Sequence, residues 1–237
     1  MKGKKYTDNR KTKTQSQKEN NDKVRELYTE RASFYDRFFI DFLGWGRELE
    51  AFFRKSNYVI ANSKILDAGC GTGIVTRILY KIALEKGYNE VRLHAFDLTQ
   101  SMLDIFRQWI TTQGAENIEV KQADVLELNL LPQNWSDFDL VVSSTMLEYL
   151  PKNKVTDALA NLKQLLRNDG ILLVIIIKRS FLTRWLAGRW WKTNTYTKSE
   201  IEKLFHEAGF ENIEFKRFSS NSWWANYIMV IETRKSG

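Results

Sequence analysis

Residues 65–73, Ile-Leu-Asp-Ala-Gly-Cys-Gly-Thr-Gly, form an apolar run that stops at an acid and then sets three glycines in five positions. The run reads as a buried strand opening through a tight turn into a helix. Gly69 and Gly71 remove side chains where a ligand would press on the main chain. The helix after Gly73 offers unpaired backbone N–H groups. The third glycine comes one residue too early for G-x-G-x-x-G, and the lysine of a P-loop is absent. Asp67, just before the turn, suits an ammonium better than a phosphate. The stretch therefore favours a cationic, amino-acid-bearing nucleoside over a pyrophosphate.

Outward from this turn, short apolar strands alternate with amphipathic helices. Strands are expected at 64–68, 91–96, 117–122, 138–143, 171–177, 211–218 and 223–232, and helices at 73–86, 99–112, 153–167 and 198–208. Strands 138–143 and 171–177 are apolar nearly throughout, as when both faces of a parallel sheet are covered. The pattern predicts an α/β, Rossmann-like, doubly wound sheet of seven strands, mostly parallel. No helix separates the last two strands, so they are expected to pair antiparallel at the sheet edge. Asp97 ends the second strand, where a carboxylate can accept ribose hydroxyls. Asp124 follows the third, where one could accept from an adenine amine. Three acids at three successive strand ends say more than the glycines alone.

The chain has 237 residues, 43% hydrophobic, with a net charge of +7. Residues 1–25 hold nine basic and three acidic residues, so nearly all the excess charge sits at one end. Residues 1–21 are expected to be a disordered basic tail, and 22–237 a single domain with a helical cover over 22–60 and an inserted lid over 178–197. No apolar segment of secretory type follows the basic residues, and the longest apolar run, 171–177, is too short to span a bilayer. A cytoplasmic protein is expected. The single cysteine, Cys70, and two distant histidines, His94 and His206, make no metal-ligand cluster. His94 reads as a core or edge histidine, His206 as a surface residue, and Cys70 as a small packing residue. Glu148 and Asp157 read as solvated.

Taken together, ILDAGCGTG (65–73), FDLTQSML (96–103), ADVLEL (123–128), FDLVVSSTMLEYLP (138–151) and LLRNDGILLVIIIKR (165–179) resemble the class I S-adenosylmethionine-dependent methyltransferases, small-molecule branch, which includes quinone-pathway enzymes. YTERASFYD (28–36) and YTKSEIEKLFHEAGFENIE (196–214) resemble that family's entry helix and sheet-closing segment. The resemblance implies S-adenosylmethionine as cofactor. It assigns Asp67, Gly69, Cys70 and Gly71 to the methionine part, Asp97 to the ribose, and Leu98 and Met102 to the adenine faces. Asp124 and the Val125 N–H would read the adenine edge. Ser143 and Thr145 would face the sulfonium and acceptor, and Tyr28 and Tyr35 would close over the cofactor.

Many members of that family place His where this chain has Tyr149, so no histidine base stands there. Tyr35, Tyr149 and Tyr196 are the expected substrate-orienting residues. Aromatic residues crowd the covers, among them Phe38, Trp45, Trp185 and Trp190. They point to a small, apolar or aromatic acceptor, a ring, an isoprenoid or acyl chain or a soft cation, methylated at O, N, C or S. The basic and aromatic run 181–191 suits peripheral membrane contact. An RNA or protein methyltransferase using the basic tail is the alternative reading. Nucleic acid is not the expected partner, because the turn after the fourth strand, Ser143-Ser-Thr-Met146, lacks the pattern of base-amine methylation.

Overall fold

The computed structural model describes residues 45–180, 183, 193–218 and 223–236. The tail 1–21, Tyr28, Tyr35, most of the helical cover and most of the lid lie outside the described residues.

Seven strands form one sheet: β1 (Lys64–Ala68), β2 (Arg92–Asp97), β3 (Ile118–Gln122), β4 (Phe138–Ser144), β5 (Leu166–Ile177), β6 (Ile213–Lys216) and β7 (Ile228–Arg234). Their order is β3-β2-β1-β4-β5-β7-β6. β1 to β5 are parallel, while β7 runs antiparallel between β5 and β6. This is the Rossmann-like arrangement that the alternation of elements predicts. The strand order turns back between β1 and β4, and a ligand crevice is expected beyond the carboxyl ends of those strands.

Five α-helices are described: α1 (Trp45–Lys55), α2 (Ile74–Glu85), α3 (Gln100–Gln113), α4 (Val155–Leu165) and α5 (Lys198–Glu207). Two apolar cores flank the sheet. On one face Phe53 of α1, Leu79 of α2 and Phe106 of α3 pack against Leu140, Val142, Leu173 and Ile175. On the other, Leu159 and Leu162 of α4 and Phe205 of α5 pack against Leu66, Val141, Leu172 and Val174. Successive strand side chains point to opposite faces, so β4 and β5 must be apolar at nearly every position. α5 begins in a capping box. Glu200 N donates to Thr197 Oγ1 at 3.2 Å, and Thr197 N donates to Glu200 Oε2 at 2.7 Å. The Thr-x-x-Glu spacing is its signature.

Most boundaries fall within two residues of expectation, and two differ by five. β5 begins at Leu166 rather than 171, carrying an irregularity where partners step from Phe138–Leu166 to Leu140–Ile171. Asp169, at φ +60°, occupies that step, and pairing with the Lys235 backbone holds it in place. Residues Trp223–Tyr227 form a 3₁₀ turn rather than the start of a strand.

Candidate functional site

The end of β1 is tied by its Asp67 side chain to the first turn of α2, and the glycine turn between them is fastened to β2. Asp67 is buried, and its Oδ2 accepts from Thr76 N at 3.1 Å and Thr76 Oγ1 at 2.7 Å. Its Oδ1 is buried and has no partner among the described residues. Burial pushes this carboxyl up to about 7, against the pull of Thr76. The amides of Gly69 and Cys70 both donate to Phe96 O, at 2.8 and 3.0 Å, fastening the turn to the end of β2.

The three glycines of the turn all have positive φ, but for different reasons. A Cβ on Gly69 would lie 2.3 Å from Met146 Cγ, and one on Gly73 would lie 2.3 Å from the Phe106 ring. These two are demanded by the protein's own packing. Among the described residues, a Cβ on Gly71 would meet only Met102 Cε, at 3.9 Å. The space over Gly71 is open, as it must be if a ligand approaches the main chain there.

Asp97, at the end of β2, accepts the Gly71 amide through Oδ2 and the Thr99 amide through Oδ1, each at 2.8 Å. Burial raises this carboxyl, opposed by those two amides. Asp124 is buried, and its Oδ1 accepts Leu126 N at 2.9 Å, which shapes the turn after β3. Val125 is buried and its carbonyl is taken by Asn161 Nδ2 at 2.9 Å. Met102 is buried under Gly71, and Leu98 is half-buried. Asp67, Asp97 and Asp124 thus stand at the carboxyl ends of β1, β2 and β3, which are adjacent in the sheet.

The carboxyl end of β4 adjoins this group across β1. Ser143 is fully buried and its Oγ has no partner among the described residues. Thr145 holds φ +54°, an unusual value for a β-branched residue. Thr145 N donates to Ile175 O at 2.8 Å and its Oγ1 to Ser144 O at 2.8 Å. Tyr149 is half-buried in the 3₁₀ turn Leu147–Tyr149. Tyr196 is 1% exposed, yet its hydroxyl has no partner among the described residues.

Glu148 corrects the expectation of a solvated acid. It is 1% exposed, and its Oε1 accepts Ile177 N at 2.8 Å while Oε2 is unpartnered. Burial raises this carboxyl to about 7. Asp157 is an exposed partner of Lys154, as expected. The sequence signal for Glu148 was slight: one acid among Met146, Leu147 and Leu150.

Other residues take structural positions. His94 is buried between Trp135 and Phe138, with ring centroids 4.9 and 5.1 Å away, and burial lowers it to about 4. His206 is exposed. The Cys70 thiol is buried and pushed well up, so it is not a thiolate nucleophile. Among the described residues, no group of three or more His, Cys, Asp or Glu is placed to hold a metal ion. No described helix is long and apolar enough to cross a membrane.

Residues 65–170 match the methyltransferase domain family. Over 120 residues the chain is 32% identical to malonyl-[acyl-carrier protein] O-methyltransferase of Paenibacillus sp. (strain JDR-2), covering 51% of this chain and 41% of that protein. It therefore spans about two fifths of that relative's length. Demethylmenaquinone methyltransferase of Staphylococcus aureus (strain JH9) is 23% identical over 233 residues, covering 85% of this chain and 90% of that one. The fold is similar to human N-acetylserotonin methyltransferase in complex with SAM, with a TM-score of 0.60, 18% identity, and coverage of 81% of this chain and 52% of that one.

Proposed function

The chain belongs to the class I methyltransferases, and on that premise we propose that it transfers the methyl group of S-adenosylmethionine to a small, largely apolar acceptor. The observation that carries this reading is the uncrowded main chain at Gly71, whose amide the Asp97 carboxylate holds at 2.8 Å, next to a strand end where the buried Oδ1 of Asp67 has no partner among the described residues. That set fits the cofactor, for it offers one orphaned acidic oxygen, a bare stretch of main chain and a second carboxylate already oriented by amides.

When bound, S-adenosylmethionine supplies an electrophilic methyl on a positive sulfur, a leaving group that needs no activation. The chain's own work is then to align and to exclude water. Asp67 Oδ1 would accept from the amino-acid ammonium. Asp97 would hold the ribose hydroxyls while keeping the Gly71 amide in place. Met102 and Leu98 would pack on the adenine, and Asp124 with the Val125 N–H would read its edge. Ser143 and Thr145, at the end of β4, would border the methyl and the acceptor. Tyr149 and Tyr196 would orient the acceptor, with Tyr28 and Tyr35 closing the site. The relatives' names support a small-molecule acceptor or one carried as an acyl chain. On sequence alone, the run 181–191 supports an acceptor met at a membrane surface.

The experiment is to supply methyl-labelled S-adenosylmethionine with cell lipid extract, total RNA and total protein in parallel. Label entering an organic-soluble small molecule is the expected result. Label entering only RNA or protein would overturn the reading.

A further inference from the structure

Among the described residues, four buried polar side-chain atoms around the carboxyl ends of β4 and β5 have no hydrogen-bond partner: Ser143 Oγ, Glu148 Oε2, Thr193 Oγ1 and Tyr196 OH. Buried polar groups are nearly always paired. A group of unpaired ones at one place marks a position that a polar ligand or water completes.

The backbone brings them together. Asn194 N donates to Glu148 O at 2.8 Å, which sets Thr193 and Tyr196 beside the turn bearing Glu148. Glu148 Oε1 is held by Ile177 N at the end of β5. Tyr196 bridges to Lys178, the next residue, and its carbonyl accepts Arg179 N at 2.8 Å. Ser143 lies on the same sheet face as Val141, which packs in the core that contains Tyr196. Burial chiefly, and after it the Glu148 charge, raises the Tyr196 hydroxyl. Yet they do not bond to each other. One offers an acceptor oxygen, the other a donor hydroxyl. An incoming hydroxyl can satisfy both at once, donating to Glu148 and accepting from Tyr196.

We infer that Glu148 and Tyr196 form the acceptor-hydroxyl subsite of this enzyme, with Glu148 as the base that takes the proton of an O–H nucleophile. This rests on the methyl-transfer reading and narrows it to oxygen acceptors. As the acceptor oxygen forms its bond to the methyl carbon, its O–H bond breaks and the proton passes to Glu148 Oε2. The electron pair of the breaking S–CH₃ bond returns to sulfur, which becomes a neutral thioether. Glu148 then gives the proton to water. A carboxyl held near neutrality by burial is suited to both halves of that exchange. The charged groups nearby are Arg179 and Lys152, both directed to Glu200 of α5, at 2.8 and 3.9 Å. No metal is required.

The test uses the full chain, with 1-naphthol and 1-naphthylamine as probes, and Glu148→Gln and Tyr196→Phe as variants. Gln at 148 keeps an acceptor for the Ile177 amide, and thermal melting checks both folds. Calorimetry first measures S-adenosylhomocysteine binding. If the wild type does not bind it, the methyl-transfer reading itself fails. If it binds, the saturated wild type should bind 1-naphthol, each variant binding it about tenfold or more weakly. Wild type should methylate 1-naphthol in preference to the amine, at a rate that rises with pH toward neutrality. Glu148→Gln should lower kcat by roughly 10²–10⁴ and flatten the pH profile, with cofactor affinity unchanged. The inference is overturned if Glu148→Gln stays within about threefold of wild type with the same profile, or if both variants bind 1-naphthol as wild type does. It is overturned equally if only the amine is methylated, or if cofactor-loaded protein neither binds nor methylates 1-naphthol. Should Glu148→Gln fail to fold, Tyr196→Phe carries the binding test.

Discussion

Asp97 Oδ2 accepts the Gly71 amide at 2.8 Å, so the acid that ends β2 holds the barest point of the turn that follows β1. A carboxylate is thereby fixed beside an uncrowded main chain before any ligand arrives. Preorganised donors and acceptors of this kind need not be ordered on binding. The same bond makes the two positions interdependent.

The three turn glycines should separate in their response to alanine. Gly69→Ala and Gly73→Ala drive a methyl into Met146 and Phe106, so each should destabilise by several kcal/mol, since strain from overpacking adds to that of a positive φ. Gly71→Ala meets no backbone and should cost about 1–2 kcal/mol from φ alone. It should nevertheless weaken S-adenosylhomocysteine by at least about tenfold, the loss expected when a close contact is blocked. Thermal melting and calorimetry on the three variants check this.

Asp67 should couple cofactor binding to proton release. Burial holds its carboxyl near 7 in the free protein. A ligand ammonium on Oδ1 favours the ionised form and lowers that value. Near pH 6.5 binding should therefore expel a proton from the fraction of Asp67 that carries one. The binding enthalpy should vary with the ionisation enthalpy of the buffer, and Asp67→Asn should abolish the variation.

Glu148 should shape the pH dependence of stability in the opposite sense to most surface acids. Its folded value is raised from 4.5 to about 7. The stability tied to its protonated form is complete below the unfolded value and is lost as pH rises through the folded one. Within that window the slope is at most about 1.4 kcal/mol per pH unit. Denaturant unfolding of wild type and Glu148→Gln at pH 5, 6, 7 and 8 should show the variant gaining relative stability with each step, within the roughly two units the linkage spans.

His94 works on the acid side. Burial between Trp135 and Phe138 lowers it from 6.5 to about 4. Its contribution is present above 6.5 and is lost as pH falls through 4. His94→Leu, which cannot charge, should flatten that part of the acid limb in the same unfolding series.

The residues that could be read in advance are those whose role follows from neighbours in sequence. Asp67 and Asp97 each follow an apolar run and Asp124 follows an alternating one, and a strand end is local information. β4 and β5 are apolar on both faces, which announces a parallel core. The Thr197–Glu200 box marks the start of α5 by spacing alone. Glu148 was misread because its burial is made by distant segments: Ile177 binds its carboxylate and Asn194 its carbonyl. Nothing within a few residues of it announces that closure. The β5 boundary was missed for a related reason. Asn168-Asp169-Gly170 carries turn chemistry, and only pairing with the Lys235 backbone keeps it in the strand. Gly69 and Gly71 read alike in sequence, and three-dimensional packing against Met146 alone tells them apart.

The most direct measurement is a calorimetric titration of S-adenosylhomocysteine into the purified full chain and its Asp97→Asn variant. A pocket built on Asp67, Gly71 and Asp97 predicts one site of micromolar affinity in the wild type, weakened at least about tenfold in the variant. Absence of any binding heat with ligand at millimolar concentration, or equal affinity in the two proteins, would contradict it.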